Sequence, residues 1–179
     1  MKPLPVLLAL LLAAGARAQA PDPATVDDQT MDMTAATELT AAEERVRALI
    51  AEDGVHVVHF WAPWCDNSIN ELRRGWYAVV EDHPDVTFTF VTVWNDGESG
   101  REMMDRYALP ERVEELTQPD FGPSDDKAQR RRRFLGLPVT WIPTTWVFHQ
   151  NGELAYAFNY GELEMDQVER ALADVRRDW

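Results

Sequence analysis

The sequence contains a single cysteine, and the residues around it include most of the side chains that could do chemistry. Cys65 follows Trp64, and Ser68 stands three residues after it. A cysteine thiolate attacks disulfides, whereas a serine hydroxyl forms no disulfide. Chemistry at Cys65 would therefore begin with thiol–disulfide exchange and would need an outside thiol for completion. The alternative is an unreactive thiol on a binding protein.

His59 precedes this cysteine by six residues and has two interpretations. One is a core histidine hydrogen-bonded to the backbone. The other is a proton shuttle to the Cys65–Ser68 end of the following helix, because an imidazole titrates near neutral pH. A metal site is a weaker hypothesis, since the cysteine and the four histidines show no ligand spacing. We expect neither a metal nor a cofactor.

The composition excludes one class of partner. The 179 residues carry a formal net charge of -14, which argues against a nucleic-acid surface. The basic run Arg130–Arg133 stands out against this acidity. We expect it to form a solvated helix face or to pair with the many carboxylates of the chain.

The N-terminal residues resemble a secretory signal. Lys2 precedes a short apolar run at 4–14, and Ala18-Gln19-Ala20 has the small-x-small form that signal peptidase accepts. The sequence predicts a signal peptide at 1–20 and a flexible linker at 21–38, hence an exported protein, periplasmic or secreted. The run is too short for a comfortable membrane span, although a retained anchor is the alternative. We expect no stable span after cleavage.

The remaining pattern predicts one α/β domain over 39–179. Thr40 and Glu43 form a capping box at the start of the first helix. Residues 109–137 have little periodicity, and we interpret them as an insertion with a short helix near 124–134. Asn151-Gly152 predicts a hairpin turn. The regular elements alternate in type along the chain: helices over about 40–53, 66–80, 98–108 and 165–175, and strands over 55–61, 86–94, 144–149 and 153–159.

Three local motifs resemble the thioredoxin family. They are the strand and Trp-Cys turn at 57–68, the Ile-Pro-Thr segment at 141–145 and the Asn-Gly hairpin at 148–153. Trp-Cys-x-x-Ser alone would be weak, but its spacing to the other two motifs makes chance agreement improbable. The resemblance implies a thioredoxin-like α/β fold: a central mixed sheet of four to five strands flanked by helices, with the insertion before the strand that follows a cis proline.

The resemblance also implies a site. Pro143 would face Cys65, and Ile142 would pair its backbone with an extended substrate peptide, a form of strand addition. Two positions depart from the family pattern, since Ser68 replaces the resolving cysteine and His59 a buried aspartate. The candidate residues fall into two groups: Cys65, Ser68 and His59 for catalysis, and Trp64, Trp61, Ile142 and Pro143 for substrate binding, with Trp141 adding to an apolar rim.

The expected function is monothiol exchange, either isomerase-like or holding a client in a mixed disulfide. The partners would be thiols or disulfides of client proteins or peptides, with a small-molecule thiol as a possible resolver. A redox-inactive binding or scaffold module is the alternative, and a metal or cofactor chaperone is a weaker one.

Overall fold

A computed structural model describes residues 38–123, 127–159 and 162–177. The predicted signal peptide at 1–20 lies outside the described residues, as does the predicted linker except for its last residue. Within the part that is described, no helix is long and apolar enough to cross a membrane.

The centre of the fold is a five-stranded mixed sheet with the order β3-β2-β1-β6-β7. β1 pairs in parallel with β2, which pairs in parallel with β3, whereas β6 is antiparallel to both β1 and β7. A separate hairpin joins β4 to β5. The strands in chain order are β1 (Val55–Trp61), β2 (Val86–Thr92), β3 (Glu114–Thr117), β4 (Arg133–Phe134), β5 (Leu137–Pro138), β6 (Thr144–Phe148) and β7 (Leu154–Phe158). The expected α/β fold with a mixed central sheet is confirmed.

Five α-helices flank the sheet in the described part of the chain: α1 (Ala41–Leu49), α2 (Asp66–Glu71), α3 (Tyr77–Asp82), α4 (Arg101–Arg106) and α5 (Met165–Val175). The capping box of α1 is confirmed, because Thr40 Oγ1 accepts from the Glu43 N–H and the Glu43 carboxylate accepts from the Thr40 N–H. The helix expected over 66–80 is broken into α2 and α3 by a π-helical segment, Leu72–Trp76. Gly75 lies there at φ 144, a conformation that side chains with a Cβ rarely adopt.

Both faces of β1 are covered, and all seven of its residues are buried. Because side chains alternate along a strand, the odd-numbered ones pack with Trp76, Phe88 and the inner face of α5. The even-numbered ones pack with α1 and Trp146 on the other face. The site therefore begins at the end of a strand that is fixed by two separate cores.

The range 109–137 is more ordered than its sequence pattern indicates. It contains β3, the edge strand beside β2, and a 3-10 turn at Lys127–Gln129 followed by the β4–β5 hairpin, in place of a short helix near 124–134. β3 has the sequence Glu-Glu-Leu-Thr and is half-buried, so no apolar alternation marks it. The interpretation of residues 109–137 as an insertion stays a prediction.

Candidate functional site

Cys65 lies between the end of β1 and the start of α2. The Cys65 N–H donates to Ala62 O at 3.1 Å, which closes a tight turn after the strand. The residue has extended backbone angles and is the N-cap of α2, where its carbonyl accepts from the Ile69 N–H at 3.0 Å. Its thiol is free and half-buried. The turn thus fixes the sulfur at the boundary between core and solvent.

The segment before β6 forms the opposite wall. The Ile142–Pro143 peptide bond is cis. The Cys65 thiol lies 3.7 Å from Ile142 O and is placed to donate to it. Pro143 is buried, whereas Ile142 is half-buried. The structure therefore brings Cys65 against Ile142, 77 positions away in sequence, and Pro143 follows directly through the cis bond.

Aromatic residues surround the thiol, but not all of those predicted. Trp64 is 38% exposed and Trp141 is 58% exposed, so both form part of the rim. Trp64 is held by its indole N–H, which donates to Trp94 O at 2.8 Å. Trp61 is completely buried in the core, so its expected position on the substrate-binding rim is wrong. The reason is that Trp61 still belongs to β1, both of whose faces are covered.

A cavity of about 420 Å³ opens beside Cys65. Its walls combine an aromatic set with a basic one: Trp64, Trp94 and Trp141, and Lys127, Arg130 and Arg132. The basic run Arg130–Arg133 is a bend and an irregular segment leading into β4, not the helix face expected from the sequence. Its first and third arginines line the cavity, and the other two do not.

Ser68 is fully buried on the inner face of α2, one turn after Cys65. Its Oγ accepts from the Ala62 N–H at 3.4 Å. The hydroxyl therefore ties the helix to the turn that carries the cysteine.

His59 is fully buried in β1 and bonds across the sheet. Its Nδ1 lies 2.9 Å from Thr145 Oγ1, and its ring packs against Trp76 and Phe90 at centroid distances of 4.8 and 4.7 Å. Burial lowers the pKa of His59 to about 3, because charge is costly to bury. The imidazole is therefore neutral near pH 7, which favours the core-histidine interpretation over the proton shuttle, although its hydrogen-bond partner is the Thr145 hydroxyl and not the backbone.

A carboxyl group that the sequence interpretation missed lies under this histidine. Glu71 is 1% exposed, and its Oε2 lies 3.9 Å from His59 Nε2. Its other oxygen accepts from the Leu163 N–H at 2.6 Å. Burial raises the pKa of Glu71 to about 7. One sequence signal could have indicated it: an acidic residue between Ile69 and Leu72 on the apolar side of a predicted helix.

The thiol of Cys65, the Ile142 carbonyl and the cavity together suit attack on a disulfide bound beside Cys65. A half-buried thiol faces a backbone carbonyl and an apolar rim, so it can attack a disulfide that lies in the adjoining cavity. Among the described residues, no group of three or more histidine, cysteine or acidic side chains could hold a metal ion.

No protein-family model and no curated protein matches the sequence. Several solved structures do resemble the fold. A secreted thiol-disulfide isomerase from Corynebacterium glutamicum is 21% identical with a TM-score of 0.52, over 70% of this chain and 73% of that one. A DsbF homologue from Corynebacterium diphtheriae is 18% identical with a TM-score of 0.52, over 69% and 73%.

A third similar structure is a secreted disulfide oxidoreductase of Mycobacterium tuberculosis, described as homologous to E. coli DsbE. It is 18% identical with a TM-score of 0.50, over 69% of this chain and 84% of that one. Identities this low establish the architecture and not the activity. The strand order, the cis Ile142–Pro143 bond and these likenesses together lead to one conclusion: the chain has the thioredoxin fold.

Proposed function

We propose that this protein engages client proteins through a single nucleophilic cysteine, Cys65. The observation that carries the proposal is the half-buried thiol, 3.7 Å from Ile142 O, with Ser68 where a resolving thiol would stand. The Cys65 thiolate attacks one sulfur of a client disulfide, and a new sulfur–sulfur bond forms as the other client sulfur leaves as a thiolate. A second client thiol or a small-molecule thiol then attacks the mixed disulfide and releases Cys65.

The chemistry of the similar proteins supports an isomerase-like or client-holding outcome. One of them is described as a secreted thiol-disulfide isomerase and another as a secreted disulfide oxidoreductase. Together with the signal-like first twenty residues, their secretion supports export of this chain to the periplasm or beyond. The site residues proposed for client contact are Trp64, Trp141, Ile142 and Pro143.

His59 acts in this proposal as a positioning residue. Its hydrogen bond to Thr145 joins β1 to β6 two residues after Pro143, so it helps to hold the two walls of the site together. A proton-shuttle role would make the rate of Cys65 alkylation depend on His59 as pH changes. We expect His59→Gln to leave the shape of that pH–rate profile unchanged and to alter only the stability of the fold.

The deciding experiment measures Cys65 alkylation against pH and then traps clients. The rate is compared with that of the same cysteine in the urea-unfolded chain, and disulfide-linked proteins are isolated from the native compartment. Cys65→Ala is the control, because it removes the thiol and leaves the rim in place. Alkylation no faster than in the unfolded chain, together with no captured clients, would refute the proposal.

A redox-inactive binding module is the second candidate. It is favoured by the exposure of Trp64 and Trp141, since large exposed aromatic side chains grouped together are typical of protein-binding surfaces. The two candidates differ in one measurable way. Binding that survives Cys65→Ala but is lost in Trp141→Ala would support the binding module over the exchange protein.

A further inference from the structure

The cavity beside Cys65 has a charge opposite to that of the whole protein. The chain carries a net charge of -14, yet the charged residues that line the cavity, among those the structure describes, are Lys127, Arg130 and Arg132. The neighbouring arginines of the run are engaged elsewhere. Arg131 approaches the buried Glu43 carboxylate at 3.5 Å, and Arg133 donates to Gly136 O at 2.7 Å.

Arg130 is held in place by aromatic rings. Its guanidinium carbon lies 5.3 Å from the Trp64 ring centroid and 5.4 Å from that of Trp94. One terminal nitrogen donates to Gly122 O at 2.9 Å. Its Nε is buried and has no hydrogen-bond partner among the described residues. A guanidinium held beside two indole rings in the cavity wall places a fixed positive charge where a carboxylate ligand could pair with it.

The other two cations lack carboxylate partners. Neither Lys127 nor Arg132 forms a salt bridge with any residue that the structure describes, and both are exposed. Asp66, directly after Cys65, is also exposed but does not line the cavity. The described charged side chains that line the cavity are therefore all basic, despite the acidity of the chain.

We propose that this cavity binds a small disulfide or thiol compound bearing carboxylates and presents its sulfur to Cys65. The volume of about 420 Å³ is within the range of small-molecule sites. The indoles contact the carbon chain of the ligand, and the arginines pair with its carboxylates. This deepens the function proposed above and rests on it for the covalent step.

That step needs no further reactant. The Cys65 thiolate attacks one sulfur of the acidic disulfide, the bond to Cys65 forms as the original sulfur–sulfur bond breaks, and the other half leaves as a thiolate. The cysteine is oxidised to a mixed disulfide while one half of the ligand is reduced. The acidic thiol can also resolve a client: its thiolate attacks the client sulfur of the Cys65–client disulfide, a ligand–client disulfide forms, and Cys65 leaves as the thiolate.

The test uses three small disulfides of similar size: dithiodipropionate, which is anionic, hydroxyethyl disulfide, which is neutral, and cystamine, which is cationic. Mixed-disulfide formation at Cys65 is followed by mass spectrometry at low salt. Each rate is divided by that of the same reagent with the urea-unfolded chain, which removes differences in intrinsic reactivity. We expect the normalised rate for dithiodipropionate to exceed that for cystamine about tenfold.

Three variants that each remove one positive charge show which side chains cause the preference for the anionic disulfide. Arg132→Gln and Lys127→Gln should each reduce the preference for the anion about twofold to fivefold, the range of an exposed ion pair. Arg133→Gln is the matched control and should leave the preference unchanged, because Arg133 does not line the cavity.

The possible results distinguish a failure of the acidic-ligand proposal from a failure of the proposed exchange function of Cys65. Folded protein that reacts fast with all three reagents, without preference or with preference for cystamine, overturns the acidic ligand and leaves the proposed function standing. A second result also overturns the acidic small-molecule ligand. If a disulfide-linked acidic peptide reacts faster than cystamine but dithiodipropionate does not, the cavity binds an acidic segment of a client protein.

If Cys65 reacts no faster folded than unfolded and no clients are captured, the proposed function fails, and S-methylglutathione then tests the cavity alone. This probe carries carboxylates and no free thiol, and its binding is measured by tryptophan fluorescence. Binding that weakens in Arg132→Gln but not in Arg133→Gln supports the acidic ligand. No binding, or equal binding by both variants, overturns it.

Discussion

Replacing His59 by glutamine removes one half of a buried pair of titratable side chains. His59 and Glu71 are both buried and approach to 3.9 Å. Burial moves their pKa values in opposite directions, to about 3 for the histidine and about 7 for the glutamate. In the folded protein the proton of the pair therefore resides on the carboxyl group.

The unfolded chain places that proton differently. With ordinary pKa values of 6.5 and 4.5, an unfolded chain between these two pH values has a charged histidine and a charged glutamate. One proton is bound to the pair in each state, so folding moves it from His59 to Glu71 without net uptake. The free energy of unfolding of the wild type should have no slope from this pair over that range.

Each single substitution leaves only one titrating side chain of the pair, so the free energy of unfolding becomes dependent on pH. In His59→Gln only Glu71 remains. Because its pKa is higher in the folded protein than in the unfolded chain, its contribution to stability is complete below about pH 4.5 and is lost as the pH rises towards 7. The free energy of unfolding should fall by about 1 kcal/mol per pH unit, or about 3 kcal/mol in all. In Glu71→Gln only His59 remains, whose contribution is complete above pH 6.5 and is lost as pH falls towards 3. There the free energy should rise with pH at a similar slope.

The assay is urea unfolding followed by tryptophan fluorescence at pH steps between 4.5 and 6.5. Subtracting the wild-type profile cancels the other titrating groups, and a constant cost of either substitution changes no slope. Glu81→Gln, on the exposed side of α3, is the control and should run parallel to the wild type. Parallel profiles for all four proteins would refute the assignment of the proton to Glu71.

Three further predictions concern the site and its supports. Ser68→Cys should form an intramolecular disulfide with Cys65 under glutathione disulfide, seen as the loss of both free thiols. Gly100→Ala should lower the free energy of unfolding by about 1–3 kcal/mol in urea titration, because its Cβ would clash with the buried Trp61 ring. Glu43→Ala should cost about 1–3 kcal/mol in the same assay, because it removes the acceptor of two half-buried N–H groups, those of Thr40 and Leu135.

Matched variants separate these effects from general damage. Cys65→Ser added to Ser68→Cys should prevent the disulfide, and a mixed glutathione adduct on both cysteines of Ser68→Cys would contradict the first prediction. Glu98→Ala, in the exposed loop before Gly100, and Glu44→Ala, on the exposed face of α1, should change stability by less than about 0.5 kcal/mol. If Glu98→Ala or Glu44→Ala lowered the free energy of unfolding as much as Gly100→Ala or Glu43→Ala does, the corresponding prediction would be contradicted.

Much of the sheet could be predicted because its strands carry their own pattern. β1, β6 and β7 have apolar runs bounded by turn residues, and the capping box at Thr40 marks the start of α1. β3 could not be predicted, since its polar residues become a strand only by pairing with β2. The break at Gly75 was equally hidden, because a glycine within an apolar periodicity is compatible with an unbroken helix.

Residue identity and local periodicity are sufficient for three features: the single thiol at Cys65, the serine three residues after it, and the order of most helices and strands. Other features depend on the tertiary structure: Cys65 faces Ile142, Trp61 is buried whereas Trp141 is exposed, and Glu71 lies beside His59. The tertiary structure also sorted the basic run into arginines that line the cavity and arginines that do not. Burial and the electric field at a side chain depend on segments far apart in sequence, and no local pattern encodes them.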